Sequence, residues 1–214
     1  MIKIYAIPGL GTTKKLLVNL RITNTEVIVL EWPLPEKKDT MSSYAKKFLL
    51  YIDVSKPFYL LGVSFGGMIC TELNKLISPV KSFLISTSKT RDELPWFIKM
   101  GKYIPIHLLF SDHFHRKIAY YGRGIVGFEN DYTVEFLEML NHMKKHYFKY
   151  CVHMIVNWNN KILPKNAFHI HGTDDKLLSH KYVKADYLIE GGTHAIIVFR
   201  AKEINDILEK IMKS

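Results

Sequence analysis

The chain has 214 residues, 48% of them apolar and 23% charged, a mixture that points to one globular domain with room for an inserted sub-region. It excludes collagenous and low-complexity chains, and a chain this long buries enough apolar surface to need no disulfide or metal staple. Thirty basic against twenty acidic residues leave a formal charge of +10, but the lysine pairs at 14–15, 37–38, 46–47 and 144–145 are scattered, so the charge implies a soluble basic surface and no nucleic-acid partner.

Ile2–Ile7 (IKIYAI) predicts a strand that starts at once, with no basic, apolar and cleavage regions of a signal peptide before it. Pro8-Gly9-Leu10-Gly11-Thr12 is a loop, and Leu16, Leu17 and Leu20 then share one helical face. Val27–Leu30 (VIVL) is a short continuous apolar strand, as expected in a sheet covered on both faces. Met41–Ile52 has helical spacing, with Ser42 or Ser43 as its cap. Phe58–Leu61 (FYLL) is the next strand, Gly62–Gly67 a tight turn, Met68–Ile77 a helix and Val80–Ile85 a further strand.

Between Thr87 and Leu163 no convincing strand is present, and aromatic, Met and His residues are dense. Segments Trp96–Tyr103, Phe114–Tyr121 and Val134–Trp158 read as helices, which suggests a helical insertion over the sheet. Its aromatics, Trp96, Phe97, Tyr103 and Phe128 among them, together with Met139, fit the packing of that insertion better than an acyl pocket. Strands resume with Ala167–His171, Leu177–Val183 and Tyr187–Ile189, followed by an amphipathic helix from Ala195 to Met212. The organisation expected is therefore a core of residues 1–87 and 164–214 with a helical cap at 88–163, and a mostly parallel, doubly covered α/β sheet. No apolar run approaches the ~18 residues needed to cross a bilayer.

Gly62-Val63-Ser64-Phe65-Gly66-Gly67 contains G-x-S-x-G between a strand and a helix, the context in which a serine is held on a strained turn at the carboxyl edge of a sheet. A serine hydroxyl needs a general base, and histidine suits because its pKa lies near neutral pH. Of ten histidines, His194 follows the last strand and precedes the last helix, which places it on the same edge as Ser64. Asp174 and Asp175, after the Ala167–His171 strand, are the candidates for the acid that orients it. His169 and His171 are expected to split between the interior and a helix, and neither to be catalytic. His142 and His146 have i,i+4 spacing, but no carboxylate completes an H-E-x-x-H pattern, so no metal or other cofactor is expected. Cys70 and Cys151 lack CxxC spacing and read as buried small apolar residues, with a disulfide between them as the open alternative; two cysteines and no leader suggest the reducing cytoplasm.

Together Pro8-Gly9-Leu10-Gly11, the Ser64 turn, His171-Gly172-Thr173-Asp174-Asp175 and Gly191-Gly192-Thr193-His194 resemble the α/β-hydrolase superfamily, in the chain order Ser, Asp, His. The resemblance implies the α/β-hydrolase fold with its cap after Val80–Ile85, in a minimal form that begins at the strand before the oxyanion loop. It implies Asp175, three residues past Gly172, as the triad acid, and backbone N–H groups of Leu10 and Phe65 as the oxyanion hole. Pro8 stands where many members carry histidine. The expected activity is hydrolysis of an ester, thioester or amide of a small to medium, apolar acyl group through Ser64, Asp175 and His194. The alternative is a non-hydrolytic member of the same fold, a lyase or ligand-binding protein. The sequence assigns no oligomeric state.

Overall fold

The computed structural model describes residues 1–128 and 132–213. Six strands form one sheet: β1 (Ile2–Ile7), β2 (Thr25–Val29), β3 (Phe58–Val63), β4 (Lys81–Ile85), β5 (Ala167–Gly172) and β6 (Tyr187–Ile189). Their order is β2-β1-β3-β4-β5-β6 and every pairing is parallel. The order reverses once, between β1 and β3, so the loops that leave these two strands open a crevice at the carboxyl edge. All six residues of β3 are buried, as expected of a central strand covered on both faces. β2 differs from its expectation. It is an edge strand, paired with β1 alone, and its residues are half-buried or exposed rather than covered on both faces.

Helices α1 (Met41–Lys46) and α2 (Phe65–Leu73) pack on each other, and α2 packs on β1, β3 and β4. α1 is shorter than the predicted Met41–Ile52 and passes into a 3-10 segment at Lys47–Tyr51. Its cap is Thr40 rather than Ser42 or Ser43. The Thr40 hydroxyl accepts from Ser43 N–H, and the Ser43 hydroxyl returns the contact to Thr40 N–H, a reciprocal capping box. The predicted helix around Leu16 is only a 3-10 turn, Lys14–Leu17, although Leu16, Leu17 and Leu20 are buried as expected.

Between β4 and β5 the described residues form helices α3 (Trp96–Met100), α4 (Asp112–Tyr121), α5 (Arg123–Val126), α6 (Thr133–His142) and α7 (Tyr147–Asn157). The single helix expected over Val134–Trp158 is thus two. α6 ends at an extended Met143, and His146, at φ +64° in a left-handed conformation, precedes the first residue of α7, its N–H donating to Asp112 Oδ2. Phe128 and Met139 pack inside, but Trp96, Phe97 and Tyr103 lie exposed on the outer surface, which overturns their assignment to packing.

The chain ends in α8 (Ile196–Phe199) and α9 (Ala201–Lys213), split at Arg200, whose guanidinium donates to Glu190 O. Ile204, Leu208 and Ile211 recur at i, i+4 and i+7 on the buried stripe of α9. Leu177–Val183 is not a strand. The Asp175 carboxylate takes the N–H groups of Leu177 and Leu178, and the Ser179 hydroxyl caps a short 3-10 turn, so these donors are lost to a ladder. Among the described residues no helix is long and apolar enough to cross a membrane.

Candidate active site

Ser64 stands between β3 and α2 with φ +53° and ψ −118°, a conformation that few non-glycine residues adopt. The surrounding structure over-determines it. Ser64 N–H donates to Ile85 O at the end of β4, and the Thr87 hydroxyl donates to Ser64 O at 2.6 Å. The two glycines of the motif permit the turn by close approach. A Cβ on Gly62 would lie 2.5 Å from Gly66 O, and one on Gly66 would lie 2.2 Å from Ile7 O.

The loops after β5 and β6 are sewn together by three hydrogen bonds. Thr173 N–H donates to Ile189 O, Asp174 N–H to Gly192 O and Gly191 N–H to the Thr173 hydroxyl, while Gly192 N–H donates to Ile189 O within the β6 turn. A Cβ on Gly172 would come within 2.1 Å of Gly192 O, so the approach requires glycine there. The result sets Asp175 beside His194. His194 Nδ1 is 2.7 Å from Asp175 Oδ2, and His194 Nε2 is 2.9 Å from Ser64 Oγ. A carboxylate only accepts, so Nδ1 carries the proton and Nε2 is free to accept the serine proton. Asp174, the rival, is exposed and holds the loop through its backbone.

Asp175 is buried, which by itself would raise its pKa. His194 and His171 beside it, with the N–H of Leu178, outweigh that effect and hold the carboxyl well below its usual range, so it stays ionised. His171 stands against the Asp175 carboxylate, its Nε2 3.1 Å from Oδ2. His169 and His171 do not split between two environments. Side chains two apart on a strand share a face, and both histidines are fully buried together, His169 Nε2 being 3.1 Å from His171 Nδ1. Burial first, then the neighbouring Lys89 and His171, push His169 well below the ordinary histidine pKa, so its ring is neutral.

Phe65 is the first residue of α2, and its N–H has no acceptor within the helix. The loop holding Leu10 is curled by the N–H and hydroxyl of Thr12, both donating to Gly9 O. A Cβ on Gly9 would lie 3.7 Å from Ser64 Cβ, so this loop runs directly beside the serine. Neither Leu10 N–H nor Phe65 N–H donates to a partner among the described residues.

Next to this loop is a cavity of about 530 Å³ bordered by Pro8, Trp32, Met139 and Tyr147 and by the charged Lys14, Lys15, Glu31 and Glu138, with Ser64, Asp175 and His194 outside its lining. Trp32 stacks on Phe65, ring centroids 5.3 Å apart, and donates its indole N–H to Thr12 O. Apolar periodicity does not single out Trp32; its place in the loop that leaves β2 at the carboxyl edge is its only signal in the sequence.

His142 is the last residue of α6 and His146 the cap before α7, so they do not share a helix face, and among the described residues no group of three His, Cys, Asp or Glu side chains can hold a metal ion. Cys70 and Cys151 are free, buried thiols whose pKa values burial raises, so the disulfide alternative is set aside.

No protein-family model matches the sequence, and no curated protein matches it either. Solved structures do. An esterase from Exiguobacterium antarcticum superposes with a TM-score of 0.75 at 12% identity, covering 100% of this chain and 92% of that one. A lipase-esterase related protein from Clostridium acetobutylicum gives 0.71 at 18% identity, covering 98% and 93%. The enol-lactonase from Burkholderia xenovorans gives 0.72 at 14% identity, covering 100% and 92%. The chain has the α/β-hydrolase fold.

Proposed function

We propose that the protein is a serine hydrolase that cleaves a carboxylic ester, thioester or amide of a small to medium, apolar acyl group. The observation that carries this reading is the unbroken line of Ser64 Oγ, His194 Nε2, His194 Nδ1 and Asp175 Oδ2, with contacts of 2.9 and 2.7 Å. His194 takes the hydroxyl proton as Ser64 attacks the acyl carbon, and the Asp175 carboxylate stabilises the imidazolium. The oxyanion forms against the N–H groups of Leu10 and Phe65, which have no competing acceptor. His194 returns the proton to the leaving group, and water then releases the acyl group from Ser64 by the same steps in reverse. No cofactor or metal is required.

Residues 88–163 act as a cap, and the Trp32 side of the cavity beside Pro8, whose other walls carry Lys14, Lys15, Glu31 and Glu138, receives part of the substrate. The similar structures named as esterase, lipase-esterase related protein and enol-lactonase support the reaction class. Free buried thiols at Cys70 and Cys151 suit the reducing cytoplasm.

Turnover of a panel of short-chain aryl esters and thioesters by wild type and Ser64→Ala tests the reading. Turnover by the wild type and a loss of about 10⁶-fold in the folded variant are expected, the scale known for loss of a triad serine. Equal turnover by both proteins rules it out.

A further inference from the structure

Behind Asp175, on the side away from the serine, lies a buried array that the reaction does not use. His171 Nε2 is 2.7 Å from Leu178 O and 3.1 Å from Asp175 Oδ2. Both neighbours only accept, so His171 carries its proton on Nε2. His171 and His169 meet through one nitrogen each, His171 Nδ1 and His169 Nε2. With its proton on Nε2, a neutral His171 offers a bare Nδ1, which requires His169 to donate from its own Nε2. That leaves His169 Nδ1 bare, and Lys89 Nζ stands 2.8 Å from it. The ammonium has three protons and three acceptors: His169 Nδ1, Lys184 O at 2.6 Å and Glu93 Oε1 at 2.8 Å. Each proton assignment follows from the one before, and they meet a consistent end at both the Leu178 carbonyl and the Lys89 ammonium.

We propose that Lys89, His169 and His171 form a one-way chain of hydrogen bonds that positions Asp175 for His194, a role that rests on the hydrolase reading above. The chain acts on the turn that Asp175 closes. Asp175 Oδ1 accepts from Leu177 N–H and Leu178 N–H, while the Leu178 carbonyl is held by His171 from behind. Oδ2 lies between His194 Nδ1 and His171 Nε2. The carboxylate thus takes three hydrogen bonds, two at Oδ1 and one from His194 at Oδ2, while the His171 Nε2–H that holds Leu178 O lies against Oδ2 as well, which fixes its plane and its aim.

The far end of the chain is anchored where the helical insertion leaves β4. Glu93 Oε2 accepts from Lys89 N–H, and Asn160 Nδ2 donates to Lys89 O. All members are buried: His169 and His171 completely, Lys89 and Glu93 to within 8%. A buried polar group without a partner is costly, so a fully paired array has one arrangement and resists others. The triad acid is therefore held by residues from β5 and from the root of the insertion together. His171, His169 and Lys89 are positioning residues, since none touches Ser64 or substrate.

Two variants separate position from packing. His171→Phe keeps a ring of similar size and removes the donor; His171→Gln returns an amide N–H near the place of Nε2. The groups facing His194 are Ser64 and Asp175, with His171, His169, Lys89 and Glu93 in line behind the carboxylate. A displaced carboxylate stabilises imidazolium less, so the acid limb of the kcat profile moves to lower pH in His171→Phe. A fall in kcat of roughly 10–100-fold with KM nearly unchanged is expected for that variant, the range seen when outer partners of a positioned ligand are removed. His171→Gln is expected to recover most of the loss and the wild-type limb. A His171→Phe protein with wild-type kcat and pH limb overturns the proposal, as does an equal loss in both variants.

If His171→Phe fails to fold, imidazole nitrogen NMR of the intact wild type decides. His169 and His171 must both show the neutral Nε2–H tautomer from pH 6 to 8, and an Nδ1–H tautomer or a charged ring at either position contradicts the chain. Failure of the hydrolase reading is separate and visible: the wild type then turns over none of the ester panel, which also removes the positioning role, while the spectrum still reports the tautomers.

Discussion

At Asp175 the carboxylate must accept, and an amide in its place presents a donor to the proton on His194 Nδ1. Asp175→Asn is expected to lower kcat by about 10⁴-fold with the fold intact, the cost known for this exchange in a serine-protease triad. Asp174 is exposed and works through its backbone, so Asp174→Asn is expected to stay within a few-fold of wild type on the same ester assay. A reversed order would transfer the acid to Asp174. Gly66 makes a second test. Its added Cβ would meet two backbone oxygens, Ile7 O at 2.2 Å and Pro8 O at 2.4 Å, which no side-chain movement relieves. Gly66→Ala is expected to cost about 1–3 kcal/mol in a denaturant titration and to reduce activity by displacing the Gly9–Leu10 loop. These residues were legible in the sequence because motif spacing and position relative to strands carry them. His171 and Lys89 were not. Their arrangement depends on a contact between β5 and a residue eighty positions earlier, which no local pattern encodes.

Element by element, the strands of the core were easier to read than the helices. FYLL announces a buried parallel strand by continuous apolar content, and IKIYAI by the apolar run Ile4–Ile7 that is buried in β1. Errors arose where a polar side chain captured the backbone: Asp175 over Leu177 and Leu178, Ser179 over the following turn, Thr40 at the start of α1. Periodicity counts apolar residues and is blind to such captures. The Thr40 box can be tested directly. Thr40→Ala is expected to destabilise by about 1 kcal/mol, seen as a lower denaturant midpoint with an unchanged slope. An unchanged midpoint would mean the box contributes nothing. The start of α7 shows the same kind of capture, since Asp112 on α4 takes the N–H of His146 from outside the helix.

For the molecule as a whole, buried neutral histidines tie stability to pH. Burial first, with His153, His115 and Lys149 adding to it, pushes His107 down to about 4, and His169 is lower than ordinary as well. Unfolded histidine takes up its proton near pH 6.5. As pH falls from about 6.5 towards 4, the unfolded chain therefore binds protons that the folded chain refuses, and stability declines. Asp175 acts at lower pH with the same sign. Its folded pKa is depressed, so the stability it contributes is present above about pH 4 and is lost as pH falls towards the folded value. A melting temperature that drops steadily from pH 7 to pH 4.5, with a shallower drop in His107→Gln, is expected. A flat profile would mean that these rings are solvated in the folded protein.

All of these scales converge on one claim, that the fold has made Ser64 a nucleophile through His194 and Asp175. Incubation with a fluorophosphonate, followed by intact mass measurement of wild type and Ser64→Ala, tests it most directly. One covalent adduct is expected on the wild type and none on the variant. An unmodified wild type that is folded, or an adduct that persists in Ser64→Ala, contradicts it.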